Sequence, residues 1–271
     1  MSFARRGDRT VLDRRLFAWP FVLTRTFLLD AVPAHMLTVI VQTSSSAVHG
    51  EDRLLQRLHL GQGAAAHVTT QGASPIHRAH PGMIAREAVD ITLEPGAFLE
   101  YLPEPRILFP GAALEQTIDI DCAPDATMLV SDAFTVHDPG QTGAGFRQLA
   151  STLTLRFDGG EPALIDRFDI AHLGRGRFAR YTAFGTLVMV APAPAEKLAQ
   201  LALDLSAALA TVPGLYGAAS LLPGDIGIGI RLAGDDLRTI RCGRDLAWIA
   251  SRRFVCGHEP VSRRKGDDLR R

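Results

Sequence analysis

Apolar and polar positions alternate in a phrase that recurs through the first half of the chain. In LHLGQGAAAHV (Leu58–Val68), ITLEPGAFLEYL (Ile91–Leu102) and IDIDCAPDATMLV (Ile118–Val130), a run of period two enters a short turn and a second such run leaves it. The turns Gly63-Ala64, Gly96-Ala97 and Asp125-Ala126 lie about 30 residues apart. Each copy reads as a strand pair with one buried face. The repetition predicts a mainly β, helically wound scaffold of stacked sheets. The same alternation predicts strands over His35–Thr43, Arg53–Leu60, Ala64–Thr70, Arg86–Leu93, Ala97–Leu102, Glu115–Ile120 and Thr127–Ser131. It resumes over Ser151–Phe157, Ala163–Ile170, Thr182–Val190 and Ile226–Leu232.

The period changes near the end. Pro194–Val212 places Leu198, Leu201, Ala202, Leu205, Ala208, Leu209 and Val212 at helical spacing, and Pro213-Gly214 stops the run. A second helix is expected over Asp236–Phe254, with Leu237, Ile240, Leu246, Ile249 and Ala250 inward despite Gly243. With no clean linker in sight, the expectation is one domain over residues 1–271 with two C-terminal helices packed on the β-scaffold. Residues 1–14 read as a mobile or edge segment, and the basic end, 262–271, as flexible.

Composition narrows the class. Lys+Arg and Asp+Glu are both 29, so the formal net charge is zero, which argues against a nucleic-acid binder needing a basic excess. The same balance gives little protection against self-association, and poor solubility is expected of the isolated chain. Three cysteines without a CxxC suggest neither a disulfide framework nor a zinc site. Arg25 and Asp30 interrupt the apolar stretch Phe17–Val32, so neither a signal peptide nor a membrane helix is read there, and the cytoplasm is the expected compartment.

Candidate chemistry is sparse. His67, His77 and His80, with Asp52 or Glu51, offer a nitrogen/oxygen donor set, although the spacing fits no compact ligand pair. The plainer reading is of surface or hydrogen-bonded histidines. Gly50-Glu51-Asp52-Arg53 sets acidic groups at the mouth of a strand, as a solvated turn or as carboxylates lining a polar path. In Leu164–Ile170, Asp166, Phe168 and Ile170 share a face, so Asp166 sits at a sheet edge or needs a buried partner. Leu102–Pro105 and Phe109–Gly111 are rigid pieces, either structural punctuation or a preordered recognition ridge. Asp138–Gly145 is a loop without the lysine of a phosphate loop, and Ser44-Ser45-Ser46 lies in no nucleophile elbow. No catalytic constellation stands out, and a hydrolase reading has no nucleophile–base pair to stand on.

In order along the chain, GEDRL (Gly50–Leu54), TTQGA (Thr69–Ala73) with His77-Arg78, GAFLEYLPEP (Gly96–Pro105), LFPGA (Leu108–Ala112) with Gln116, LIDR (Leu164–Arg167), LYGAAS (Leu215–Ser220), IRL (Ile230–Leu232) and Trp248 resemble the urease accessory protein UreD (UreH) family. The resemblance covers residues 30–260 and implies a β-rich wound fold with two helices. It implies a non-enzymatic maturation factor that binds apo-urease and UreF, through UreF recruits the GTPase UreG, and helps pass nickel along a polar tunnel. On that basis Asp52 and Asp166 are candidate tunnel residues, Glu51, His67 and His77 weaker ones, and Tyr101, Pro103, Phe109 and Pro110 candidate partner contacts. No tightly bound cofactor is implied; Ni²⁺ would pass transiently. The sequence departs from the family pattern at Ser44–Ala47, at Glu51 and around Asp138–Phe146. The alternatives are an independent nickel- or zinc-binding protein and a divergent paralogue with another protein partner.

Overall fold

The computed structural model describes residues 1–45, 47–171 and 180–263. The chain opens with a hairpin, β1 (Ser2–Arg6) and β2 (Arg9–Arg14), followed by the antiparallel pair β3 (Phe21–Leu28) and β4 (Leu37–Thr43). Three coils come next. The first is β5 (Arg53–Leu60), β6 (Ala65–Thr70) and β7 (Ser74–Ile76). The second is β8 (Ala85–Leu93), β9 (Phe98–Tyr101) and β10 (Arg106–Leu108), and the third is β11 (Ala113–Cys122) and β12 (Thr127–Val136). Strands β13 (Gln148–Phe157), β14 (Pro162–Ala171) and β15 (Ala183–Val190) lead to helix α1 (Ala195–Ala210). The chain continues through β16 (Leu215–Leu221) and β17 (Gly227–Gly234) to helix α2 (Leu237–Cys256).

Each coil contributes one strand to each of two sheets. Sheet one runs β14-β13-β11-β8-β5-β1-β2, with β5, β8, β11 and β13 parallel. Sheet two runs β16-β17-β15-β12-β9-β6-β4-β3, with β4, β6, β9 and β12 parallel and β7 and β10 added beside the end of β12. The two runs of each repeated phrase therefore do not pair with one another, as a strand pair would. β5 pairs with β8, and β6 with β9. The turn between them is a corner that passes the chain from one sheet to the other. Gly63 and Gly96 stand at two such corners with φ of +63° and +66°, a conformation costly for other residues.

Side chains of equal phase stack between the sheets. Leu58, Ile91, Ile120 and Leu155 form one file of sheet one; Val68, Tyr101, Val130 and Val188 face them from sheet two. The first fourteen residues form the edge hairpin, anchored by fully buried Phe3. The flexibility expected of the basic end concerns residues that, beyond 263, lie outside this description.

Both helices cover the outer face of sheet two. Only α2 is C-terminal, because the β16–β17 hairpin separates the pair. α1 buries Leu198, Ala202, Leu205 and Leu209, as its spacing predicts. The face of α2 differs from expectation. Its buried residues are Ile240, Gly243, Arg244, Ala247, Trp248, Ser251 and Arg252, while Leu237, Leu246, Ile249 and Ala250 are half-buried. The stripe is rotated because Arg252 turns in to Glu100 of β9 and Arg244 to Glu104 in the loop after it, and Gly243 lies where a Cβ would come 2.7 Å from Leu215. Among the described residues, no helix is long and apolar enough to cross a membrane.

Candidate functional site

Strand alternation fixes which side chains enter the space between the sheets, and one register carries polar groups there. In sheet one Glu87, Gln116 and Ser151 lie side by side on β8, β11 and β13. In sheet two Asp132, Thr186 and Arg231 lie side by side on β12, β15 and β17. Arg106 of β10 bridges the two rows. Its Nη2 donates to Glu87 Oε2 at 2.6 Å and its Nη1 to Asp132 Oδ1 at 2.5 Å. Gln116 Nε2 and Ser151 Oγ donate to Asp132 Oδ2 at 3.1 and 3.3 Å. Burial raises the Asp132 carboxyl above the ordinary range; Arg106 opposes that and Glu87 adds to it. Buried Gln56 donates to Glu87 and to the Tyr101 hydroxyl.

Cavities lie at both ends of this seam. One, of about 360 Å³, is walled by Glu87, Arg106, Gln56, Val48 and Ile76 and has Asp52 at its rim. The turn carrying Asp52 is tightly set. The Asp52 amide donates to the His49 carbonyl at 3.0 Å, the His49 amide donates to Asp52 Oδ2 at 2.8 Å, and Gly50 sits so close to Ala79 that a Cβ would come within 2.4 Å. The other cavity, of about 310 Å³, is walled by Asp132, Phe134, Phe168, Phe184 and Arg231. There Arg231 donates to Thr186 Oγ1 at 2.7 Å and to the Asp166 carboxylate. Asp166 is on the edge strand β14, facing inward with Phe168 and Ile170, so it has both the edge position and a partner. The two carboxylates singled out in the sequence thus mark opposite ends of one polar seam. Glu51, next to Asp52, is exposed in the turn.

The histidines are not brought together. His67 is buried beneath α2, its Nδ1 donating to the Glu100 carboxylate Oε2 at 2.7 Å and its ring packed on Trp248. Burial lowers its pKa and Glu100 opposes that. His77 is half-buried on the flank of the coils in a stack of rings: His49–His77 at 5.4 Å, His77–Phe109 at 4.8 Å and Phe109–His137 at 4.7 Å. Each ring follows a residue of the adjoining rungs Val48, Ile76, Leu108 and Val136. His80 is exposed. Among the described residues no three His, Cys, Asp or Glu side chains are grouped to hold a metal ion.

Two expected surface contacts are interior. Tyr101 is 3% exposed and Pro103 is buried, its carbonyl accepting from Arg244 at 2.8 Å; the link to β10 is structural punctuation. Phe109 and Pro110 are half-buried, and Phe109 is engaged in the ring stack. The sequence reading missed Glu87, Arg106 and Asp132. The signal was present for two of them, since Glu87 and Asp132 occupy inward phases of otherwise apolar alternations.

The profile of the UreD urease accessory protein family matches residues 1–267. The chain is 54% identical to urease accessory protein UreD 2 of Bradyrhizobium sp. strain BTAi1 over 257 residues, covering 95% of this chain and 90% of that protein. It is equally similar, 54% with the same coverage, to UreD 2 of Bradyrhizobium sp. strain ORS 278. It is 32% identical to UreD 1 of strain BTAi1, covering 98% of this chain and 93% of that protein.

Proposed function

The chain belongs to the UreD family of urease accessory proteins, and on that premise we propose that it delivers nickel to apo-urease along the seam between Asp52 and Asp166. A role in urease maturation follows from the family. The finer reading is that this chain works as a non-enzymatic scaffold with UreF, UreG and apo-urease, and that Ni²⁺ is its cargo. The observation that carries it is the run of carboxylates, amide and hydroxyl oxygens, bridged by Arg106 and Arg231, through an otherwise apolar interior, with a cavity at either end. Burying such groups is costly, and replacement of a buried ion pair by apolar side chains is often neutral or stabilising. A conduit gives those groups a use that stability does not. Oxygen donors also suit a cargo that must leave again, whereas soft thiolates and closed imidazole sites retain their metals.

The test replaces each end without changing shape. Asp52→Asn and Asp166→Asn are co-expressed with apo-urease and the accessory proteins, and the nickel content of purified urease is measured. Both variants are expected to co-elute with UreF on size exclusion while urease nickel falls. Full nickel loading in both variants would remove these carboxylates from the path.

A further inference from the structure

The centre of the seam is closed by a cation of the protein's own. Arg106 is 6% exposed and holds Glu87 on one side and Asp132 on the other at 2.6 and 2.5 Å. Glu87 and Arg106 wall the cavity beside Asp52, and Asp132 walls the cavity beside Asp166. The ion triad is therefore the partition between them. Beside it Gln116, 2% exposed, spends its Nε2 on Asp132 while its buried Oε1 has no hydrogen-bond partner among the described residues. Glu87, Asp132, the Gln116 amide oxygen and the Ser151 hydroxyl make a set of oxygen donors of the kind hard divalent cations take. A buried amide oxygen left unpaired is costly, and a metal ion or its water is one partner that would satisfy it.

Building on the nickel-delivery reading, we propose that the Arg106 guanidinium occupies a latent divalent-cation site formed by Glu87, Asp132 and Gln116, and that cargo passes by displacing it. Arg106 is a positioning residue, a latch that pairs with both carboxylates between deliveries and prevents a metal from resting there. The charges fit an exchange. Two carboxylates and one guanidinium leave a single negative charge, and a divalent cation in place of the guanidinium leaves none. The displaced side chain has room in the 360 Å³ cavity that it already walls. No covalent bond or electron transfer is involved.

The test is Ni²⁺ binding by the full chain at neutral pH, followed by equilibrium dialysis. Arg106→Gln is expected to bind one equivalent of Ni²⁺ that the unaltered chain does not hold, and Arg106→Gln/Asp132→Asn to lose it. Folded Arg106→Gln that binds no more Ni²⁺ than the unaltered chain overturns the proposal. If Arg106→Gln does not fold without metal, refolding decides: recovery with Ni²⁺ and none without it supports the latent site, and no recovery in either overturns it. Urease nickel loading separates this from the broader reading. Loss of loading in Asp52→Asn with no extra Ni²⁺ on Arg106→Gln leaves the delivery path intact and removes the latch.

Discussion

Glu100→Gln tests the other buried ion cluster, where α2 is joined to sheet two. Glu100 is fully buried, accepts from Arg252 Nε and Nη2 at 2.6 Å each, and meets His67 at 2.7 Å. Burial alone would raise its pKa, but the hydrogen bonds from His67 and Arg252 outweigh it and hold the carboxyl at about 2 against an ordinary 4.5. That difference corresponds to about 3 kcal/mol of stability at neutral pH. The folded pKa is depressed, so this stabilisation is fully present above pH 4.5 and is lost as pH falls through 2. An independent route gives a similar size. The amide leaves buried Arg252 with Asp30, at 3.3 Å, as its remaining carboxylate partner, and breaking a buried pair costs about 3–5 kcal/mol. Urea unfolding at micromolar concentration, followed by fluorescence of Trp248 against His67, measures it. The variant is expected to be less stable by about 3 kcal/mol at pH 7, with the difference narrowing to about 1 kcal/mol at pH 3. A loss below about 1 kcal/mol at pH 7, or a difference that does not narrow in acid, would refute the assignment of a strongly held carboxylate.

Two further outcomes test the frame around the seam. Gly227→Ala would place a Cβ 1.9 Å from the Met189 carbonyl oxygen, backbone against backbone, so the β15–β17 ladder must shift; little folded protein is expected, read by circular dichroism and soluble yield. Asp236→Ala removes the side chain that accepts from the Thr239 amide at 2.7 Å, and a loss of about 1 kcal/mol in urea unfolding is expected, since N-caps contribute about 0.5–2 kcal/mol.

The wound β-architecture was legible because period-two alternation survives in long strands such as β5, β11 and β14. Its pairing was not. A corner turn between sheets and a hairpin turn within one both ask for Gly or Asp, so Gly63 and Gly96 do not tell them apart. Strands β7 and β10, three residues each, are too short to show a period. The face of α2 was misread because hydrophobic spacing assumes apolar burial, whereas Arg244 and Arg252 turn inward to Glu104 and Glu100. Asp52 and Asp166 were legible as acidic residues in unusual settings. Arg106 was not, since its two partners are brought to it by two other strands, β8 and β12.

The two buried ion clusters differ in how fully their polar groups are satisfied. Glu100 is enclosed by His67 and by a guanidinium that makes two parallel contacts, an arrangement that favours one fixed geometry. Glu87, Arg106 and Asp132 each form part of a cavity wall, and the oxygen of their neighbour Gln116 has no hydrogen-bond partner among the described residues. A network partly satisfied is a poor stabiliser, because the low dielectric that strengthens its made bonds also raises the cost of the unmade one. Parallel coils make such a seam simple to build: a polar residue at one inward register lies beside the same register of the next coil, as Glu87 lies beside Gln116 and Gln116 beside Ser151. Three substitutions in phase therefore suffice to run polar groups across the interior. The apolar files at the next two inward registers, first Val89, Ile118 and Leu153 and then Leu58, Ile91, Ile120 and Leu155, keep the sheets together beside the seam.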